Sequence, residues 1–83
     1  MIRMNQNYII INEINVGDAE FVLGFNPDAP SKYVTWECKN GDNYFIGHYF
    51  SDRLKAQKDL CLRGLNEAKH LERHNNKNKD MER

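Results

Sequence analysis

Residues 33–52 read Tyr33-Val34-Thr35-Trp36-Glu37-Cys38-Lys39-Asn40-Gly41-Asp42-Asn43-Tyr44-Phe45-Ile46-Gly47-His48-Tyr49-Phe50-Ser51-Asp52, and this run decides the fold. Asn40-Gly41 sits between two β-branched and aromatic segments. A two-residue type I′ turn needs positive φ at both central positions, which Asn and Gly tolerate. The turn pairs Trp36 with Phe45, Val34 with Gly47 and Cys38 with Asn43. Strand alternation then sets Val34, Trp36, Cys38, Phe45 and Tyr49 on one face, expected under the helix, and Tyr33, Thr35, Glu37, Tyr44, Ile46 and His48 on the other, a tyrosine-rich face expected to meet water. A three-residue loop with a glycine bulge is the alternative, and it slips the pairing by one on one strand.

The hairpin runs straight into the long helix of the chain. Ser51 or Asp52 caps it by accepting amide hydrogen bonds in the first turn. At 100° per residue, Leu54, Gln57, Leu60, Cys61, Gly64, Leu65, Ala68 and Leu71 fall in one arc, which reads as the buried face. Gly64 costs about 1 kcal/mol in helix propensity relative to Ala, so close packing against the sheet is its compensation. Another face carries Lys55, Lys58, Leu62, Lys69 and Arg73, a basic stripe about 27 Å long at 1.5 Å per residue. Such a stripe suits a phosphate backbone or an acidic protein, although Asp59 four residues before Arg63 also fits an ordinary solvated face.

Upstream, Tyr8 to Ile14 has strand composition and is apolar on both alternating faces, the pattern of a central or doubly covered strand. Asn15 to Asp18 supplies a turn, and Glu20 to Phe25 makes a second strand in which Gly24 marks a bulge or a close approach. Pro27 and Pro30 make residues 26–31 a loop. Residues 1–7 read as a frayed lead-in, with Ile2 or Met4 the residues to touch the core. The expected fold is α+β: a four-stranded antiparallel β-meander with one C-terminal α-helix packed across one face, ββββα. Residues 1–74 form the single domain and residues 75–83 a flexible polar tail.

Eighty-three residues with 40% hydrophobic and 29% charged side chains make one small folded domain. The formal charge is zero, but residues 1–50 carry three basic against six acidic groups and residues 51–83 nine against six. This polarity is too mild to assert nucleic-acid binding. Two cysteines do not make a secreted disulfide framework, and the apolar run at Tyr8 to Ile11 is too short for a signal core or a membrane span. A reduced, cytoplasmic protein is the expectation, with no membrane.

No residue set converges as a catalyst. His70 and His74 share a helix face four residues apart, but H-E-x-x-H is not present, and no metal or cofactor is expected. Cys38 and Cys61 both point inward in this reading and behave as small hydrophobes. His48 could act as a base with Glu37 or Asp42, yet it lies across from Tyr33 and far from both.

The stretch Tyr33 to Tyr49 resembles small uncharacterised proteins of mobile genetic elements, conjugative elements and phages, in Gram-positive bacteria. The likeness extends weakly to Phe21–Gly24 and to Ala56–Arg63. It brings no catalytic residues and implies a context in which small inhibitors of host defence nucleases, anti-CRISPR proteins among them, are frequent. The expected function is therefore a non-catalytic protein-binding module whose partner is a host or element-encoded protein. The candidate contact residues are Tyr33, Tyr44, Ile46 and His48 on the sheet and Lys55, Lys58, Leu62, Lys69 and Arg73 on the helix. Weak nucleic-acid binding through the basic helix face is the alternative, and homodimerisation through an unpaired sheet edge stays open.

Overall fold

The computed structural model describes the backbone of residues 2–81 and the side chains through His74. Five strands precede one helix: β1 (Met4–Asn5), β2 (Tyr8–Val16), β3 (Ala19–Phe25), β4 (Tyr33–Lys39), β5 (Asn43–Phe50) and α1 (Arg53–Met81). The strands form one antiparallel sheet in chain order, so the α+β meander is as expected, with one strand more. The extra strand comes from the stretch read as a lead-in. Gln6 and Asn7 both take positive φ, 50° and 68°, and turn Met4 back onto Ile9 and Asn5 onto Tyr8. Ile2 and Met4 themselves remain exposed, outside the core. The helical backbone continues to Met81, across most of the stretch read as a polar tail, and Glu82 and Arg83 lie outside the described residues.

The β4–β5 hairpin uses the longer loop. Lys39 pairs with Asn43, Cys38 with Tyr44 and Glu37 with Phe45, so Asn40, Gly41 and Asp42 all lie in the turn. A second slip follows at Ile46, after which Thr35 pairs with His48 and Val34 with Tyr49. Between the two slips Tyr44 and Phe45 exchange faces relative to the two-residue register. Tyr44 joins Trp36 on one side, and Phe45 joins Glu37 on the other.

The sheet buries both faces, each by a different means. On one face Phe21 and Leu23 pack against Ala56 and Leu60 of α1, flanked by Ile14, Tyr33 and Phe50. Full burial of Leu23 and Leu60 contributes about 1.5–3 kcal/mol each. On the opposite face Val22, Val34, Trp36, Cys38 and Tyr8 form a core that no helix covers. The sheet covers it by curling. Tyr8 on β2 and Tyr49 on β5 have ring centroids 6.3 Å apart, although three strand spacings separate them, roughly 14 Å in a flat sheet. Trp36 fills the concavity, edge-on to Tyr8 at 5.6 Å and tilted against Tyr44 at 5.7 Å. A Cβ on Gly24 would come within 3.0–3.2 Å of Tyr8, Trp36 and Val34, so that position admits only glycine without movement.

The helix therefore covers the face opposite to the one expected, and Trp36 packs beneath the curl instead of beneath α1. α1 is also rotated by about a quarter turn from the expected arc. Ala56, Leu60 and Gly64 are buried and Asp59, Arg63 and Glu67 half-buried, while Leu54, Cys61 and Leu65 are exposed. Close approach explains the rotation. A Cβ on Gly64 would lie 3.0 Å from the Cγ2 methyl of Ile14, so the Ala56–Leu60–Gly64 stripe brings the helix backbone down onto β2. Strand β2 is not covered on both sides, because two-residue β1 flanks only its start and leaves Ile9 and Ile11 exposed.

Candidate functional site

One cluster of polar side chains joins α1 to β4 and β5. The Oδ2 atom of Asp59 accepts from the hydroxyl of Thr35 at 2.5 Å, from Nε of Arg63 at 3.2 Å and from Nδ1 of His48 at 3.0 Å. Strand alternation puts Thr35 and His48 side by side on the helix face, and the i, i+4 spacing puts Asp59 and Arg63 above them. Burial pushes the Asp59 carboxyl up, but the hydrogen bonds from Thr35, His48 and Arg63 outweigh it and hold the group below its ordinary range. The other end of Arg63 donates to the carbonyl oxygen of Ile46.

A histidine oriented by a carboxylate is half of an acid–base apparatus. Here the remaining hydroxyl, that of Thr35, is wholly buried and spends its proton on Asp59. A nucleophile must be accessible and next to the base, and Thr35 is neither accessible nor bonded to the histidine. The cluster acts as a fastener between helix and sheet, and its outward product is the conformation of Ile46.

Ile46 sits at φ 55°, in the left-handed region, with 61% of its surface exposed. For a β-branched residue this is a genuine outlier, costing about 1–3 kcal/mol. Asn, Asp or Gly would take the position with far less strain. The bulge and the Arg63 hydrogen bond hold the isoleucine side chain outward on the free edge of the sheet. They also blunt that edge, since the Ile46 carbonyl is occupied and the strand is kinked.

Beside this cluster, Phe50, Lys55, Lys58, Asp59 and Leu62 line an open groove of about 330 Å³ between β5 and α1. Its apolar lining is Phe50 and Leu62 and its charged lining Lys55, Lys58 and Asp59. The chain matches no protein-family model, no curated protein and no solved structure.

Of the expected contact residues, Ile46, His48, Lys55, Lys58 and Leu62 come together on this one surface. Tyr33 and Tyr44 do not join them or each other. Tyr33 is half-buried under the helix beside Phe25, at 5.1 Å between rings, and Tyr44 is half-buried in the concave core on the other side of the sheet. The expected tyrosine-rich face does not exist. Lys69 and Arg73 are exposed farther along α1, two and three turns past the groove. His70 and His74 stack edge-to-face at 4.6 Å on the exposed helix, and no group of three or more metal-binding side chains occurs among the described residues. No described helix is long and apolar enough to cross a membrane.

Sequence reasoning missed Asp59 and Arg63 as the organisers of the surface, reading them as a solvated pair. It also missed Arg3. The Arg3 guanidinium donates to both carboxylate oxygens of Glu20, at 2.8 and 3.1 Å, and to the Tyr44 hydroxyl at 3.2 Å, and so clasps β3 to β5 across the concave core. The hydrogen bond to Glu20 raises the Arg3 pKa and lowers that of Glu20, in each case against the opposing effect of burial. No local pattern marks such a long-range pairing.

Proposed function

We propose that the protein is a non-catalytic protein-binding module that docks through the surface between β5 and α1. Ile46 is the anchor, Phe50 and Leu62 are the apolar floor, and Lys55 and Lys58 form a basic rim for acidic side chains of the partner. The strained, exposed conformation of Ile46 carries this reading. A solvent-facing isoleucine in the left-handed region lowers stability without contributing to the core, and outliers of this kind cluster where binding needs a fixed, pre-organised side chain. Central apolar anchors ringed by polar groups are the usual energetic centres of protein interfaces.

The resemblance of Tyr33–Tyr49 to mobile-element proteins adds a partner class to this reading, a host defence nuclease held by an inhibitor. The alternative is nucleic-acid binding along Lys55, Lys58, Lys69 and Arg73. It is weakened by the apolar residues Leu62 and Leu65 that interrupt the lysines, because phosphate contacts need no such surface.

The test is affinity capture from Gram-positive host lysate, nuclease-treated and untreated, with tagged wild-type protein and the variants Ile46→Asn and Lys55→Glu. A protein retained by wild type in both samples and lost with either variant supports the proposal. Retention of nucleic acid alone, steeply salt-dependent and indifferent to Ile46→Asn, overturns it.

A further inference from the structure

The outward side of α1 carries a second surface, which shares Lys58 and Leu62 with the groove but does not include Ile46. Leu54, Lys58, Cys61, Leu65, Ala68 and Glu72 recur with the alternating four- and three-residue spacing of a helix-pairing seam, with Leu62 and Lys69 beside it. All of them are exposed, Leu54 at 78%, Leu65 at 49% and Leu62 at 44%, although they lie on a well-formed helix whose other side is seated on the sheet. Apolar residues at this spacing, here Leu54, Cys61, Leu65 and Ala68, are what a helix presents to another helix, and the chain has already used its own sheet on the Ala56–Leu60–Gly64 stripe.

We propose that a second copy of this chain covers the stripe, with its helix antiparallel, so that the protein is a homodimer. The charges choose both occupant and direction. Lys58 lies near the N-terminal end of the seam and Glu72 near the C-terminal end. A parallel pair sets Lys58 against Lys58 and Glu72 against Glu72. An antiparallel pair with Leu65 on the two-fold axis sets Lys58 against Glu72 of the second copy, twice by symmetry. In the same register Leu62 meets Ala68, a large residue against a small one, and the aliphatic stem of Lys69 lies over Cys61. The formal charge of zero leaves two copies without net repulsion. Ile46, Phe50 and Lys55 lie outside the seam in this arrangement, the Arg63 contact of Ile46 being on the opposite flank of α1, whereas Lys58 and Leu62 pass from the groove into the dimer.

Sedimentation equilibrium of the full chain at micromolar concentration tests the dimer, with helix content followed by circular dichroism. The expected mass is twice the 9.8 kDa of one chain. Leu65→Glu reduces it to one chain with unchanged helix content, because Leu65 is half exposed and belongs to neither core cluster. Lys58→Glu also weakens the dimer, and the double variant Lys58→Glu with Glu72→Lys restores it. In a Cys61→Ser background, Leu65→Cys cross-links two chains on mild oxidation and Leu54→Cys does not. A single-chain mass throughout overturns the proposal, as does a dimer indifferent to Leu65→Glu. Equal cross-linking through Leu54→Cys shows a parallel pair and overturns the antiparallel assignment.

Discussion

Arg63 on α1 holds the carbonyl of Ile46 on β5, and the same guanidinium holds Asp59 one turn back along its own helix. One side chain thus locks the helix, the hairpin and the exposed isoleucine into a single arrangement. Arg63→Ala should lower stability by about 1.5–3 kcal/mol, the range for hydrogen bonds to charged groups, and should release the backbone at Ile46. Urea denaturation measures the first effect and amide exchange at Ile46 and Gly47 the second. An unchanged midpoint with unchanged exchange would show that the bond contributes nothing.

Ile46→Asn should move stability and binding in opposite directions. Asn accepts the left-handed conformation, so the folded state should gain about 1 kcal/mol while the docking anchor is lost. A thermal melt set beside the capture experiment reads both. If the variant melts lower than wild type, the isoleucine is contributing to the fold and is not strained for the sake of a partner.

Acid should unfasten the helix. The folded pKa of Asp59 lies below its ordinary value, and that of Glu20 does too. As pH falls, the unfolded chain takes up these protons first. The stability the two carboxylates contribute is therefore complete above the unfolded value near 4 and is lost as pH falls through the folded one. The urea midpoint should hold down to about pH 5 and drop below it. Asp59→Asn should start lower and drop less. An equally steep acid limb in Asp59→Asn would assign the effect to other groups.

Gly64→Val should cost about 1–3 kcal/mol by overpacking, because its Cβ alone lands 3.0 Å from Ile14 and its methyls have nowhere to go. Gly64→Ala should stay within about 1 kcal/mol of wild type, the gain in helix propensity offsetting the tight contact. Chemical denaturation of the pair gives the comparison, and a Val variant as stable as Ala would mean that helix and sheet sit farther apart.

Arg3→Ala should cost about 1 kcal/mol through the lost charge-assisted bonds to Glu20 and Tyr44. It should also shift Trp36 fluorescence to the red as the concave core loosens, and because Trp36 is the sole tryptophan the signal is unambiguous. Emission unchanged from wild type would show that the sheet keeps its curl without the clasp.

What the sequence discloses here is local, and what it hides is long-range. Asn40-Gly41 places the hairpin and Ser51-Asp52 the helix start, and both are where the residues put them. The register was not decided, because two- and three-residue loops both suit Asn-Gly, and the bulge at Ile46 carries no mark except the glycine after it. The two slips add up to two residues, which restores the alternation, so His48 and Tyr49 keep their expected sides while Asn43, Tyr44 and Phe45 change. The face covered by the helix was hidden by symmetry: both sides of β3 and β4 are apolar, and alternation cannot say which one a helix takes and which one a curl encloses. The rotation of α1 was hidden by its leucines. They outweigh Ala56 and Gly64 in any apolar arc, yet small residues are what let a helix come close to a strand. Of the proposed contact surface, Ile46, His48, Lys55, Lys58 and Leu62 were singled out from the sequence one by one. Their organisation by Asp59 and Arg63 needed the tertiary fold.

The order of the sheet has a kinetic meaning. Each strand pairs with the one just before it, so every step up to β5 is the closure of a short loop and the sheet can zip from hairpin to hairpin. Leu23 and Thr35 have no cover until α1 docks, and α1 follows all five strands. During synthesis the finished sheet must wait with one apolar face bare, and the interval before the helix arrives is when the chain is most open to aggregation.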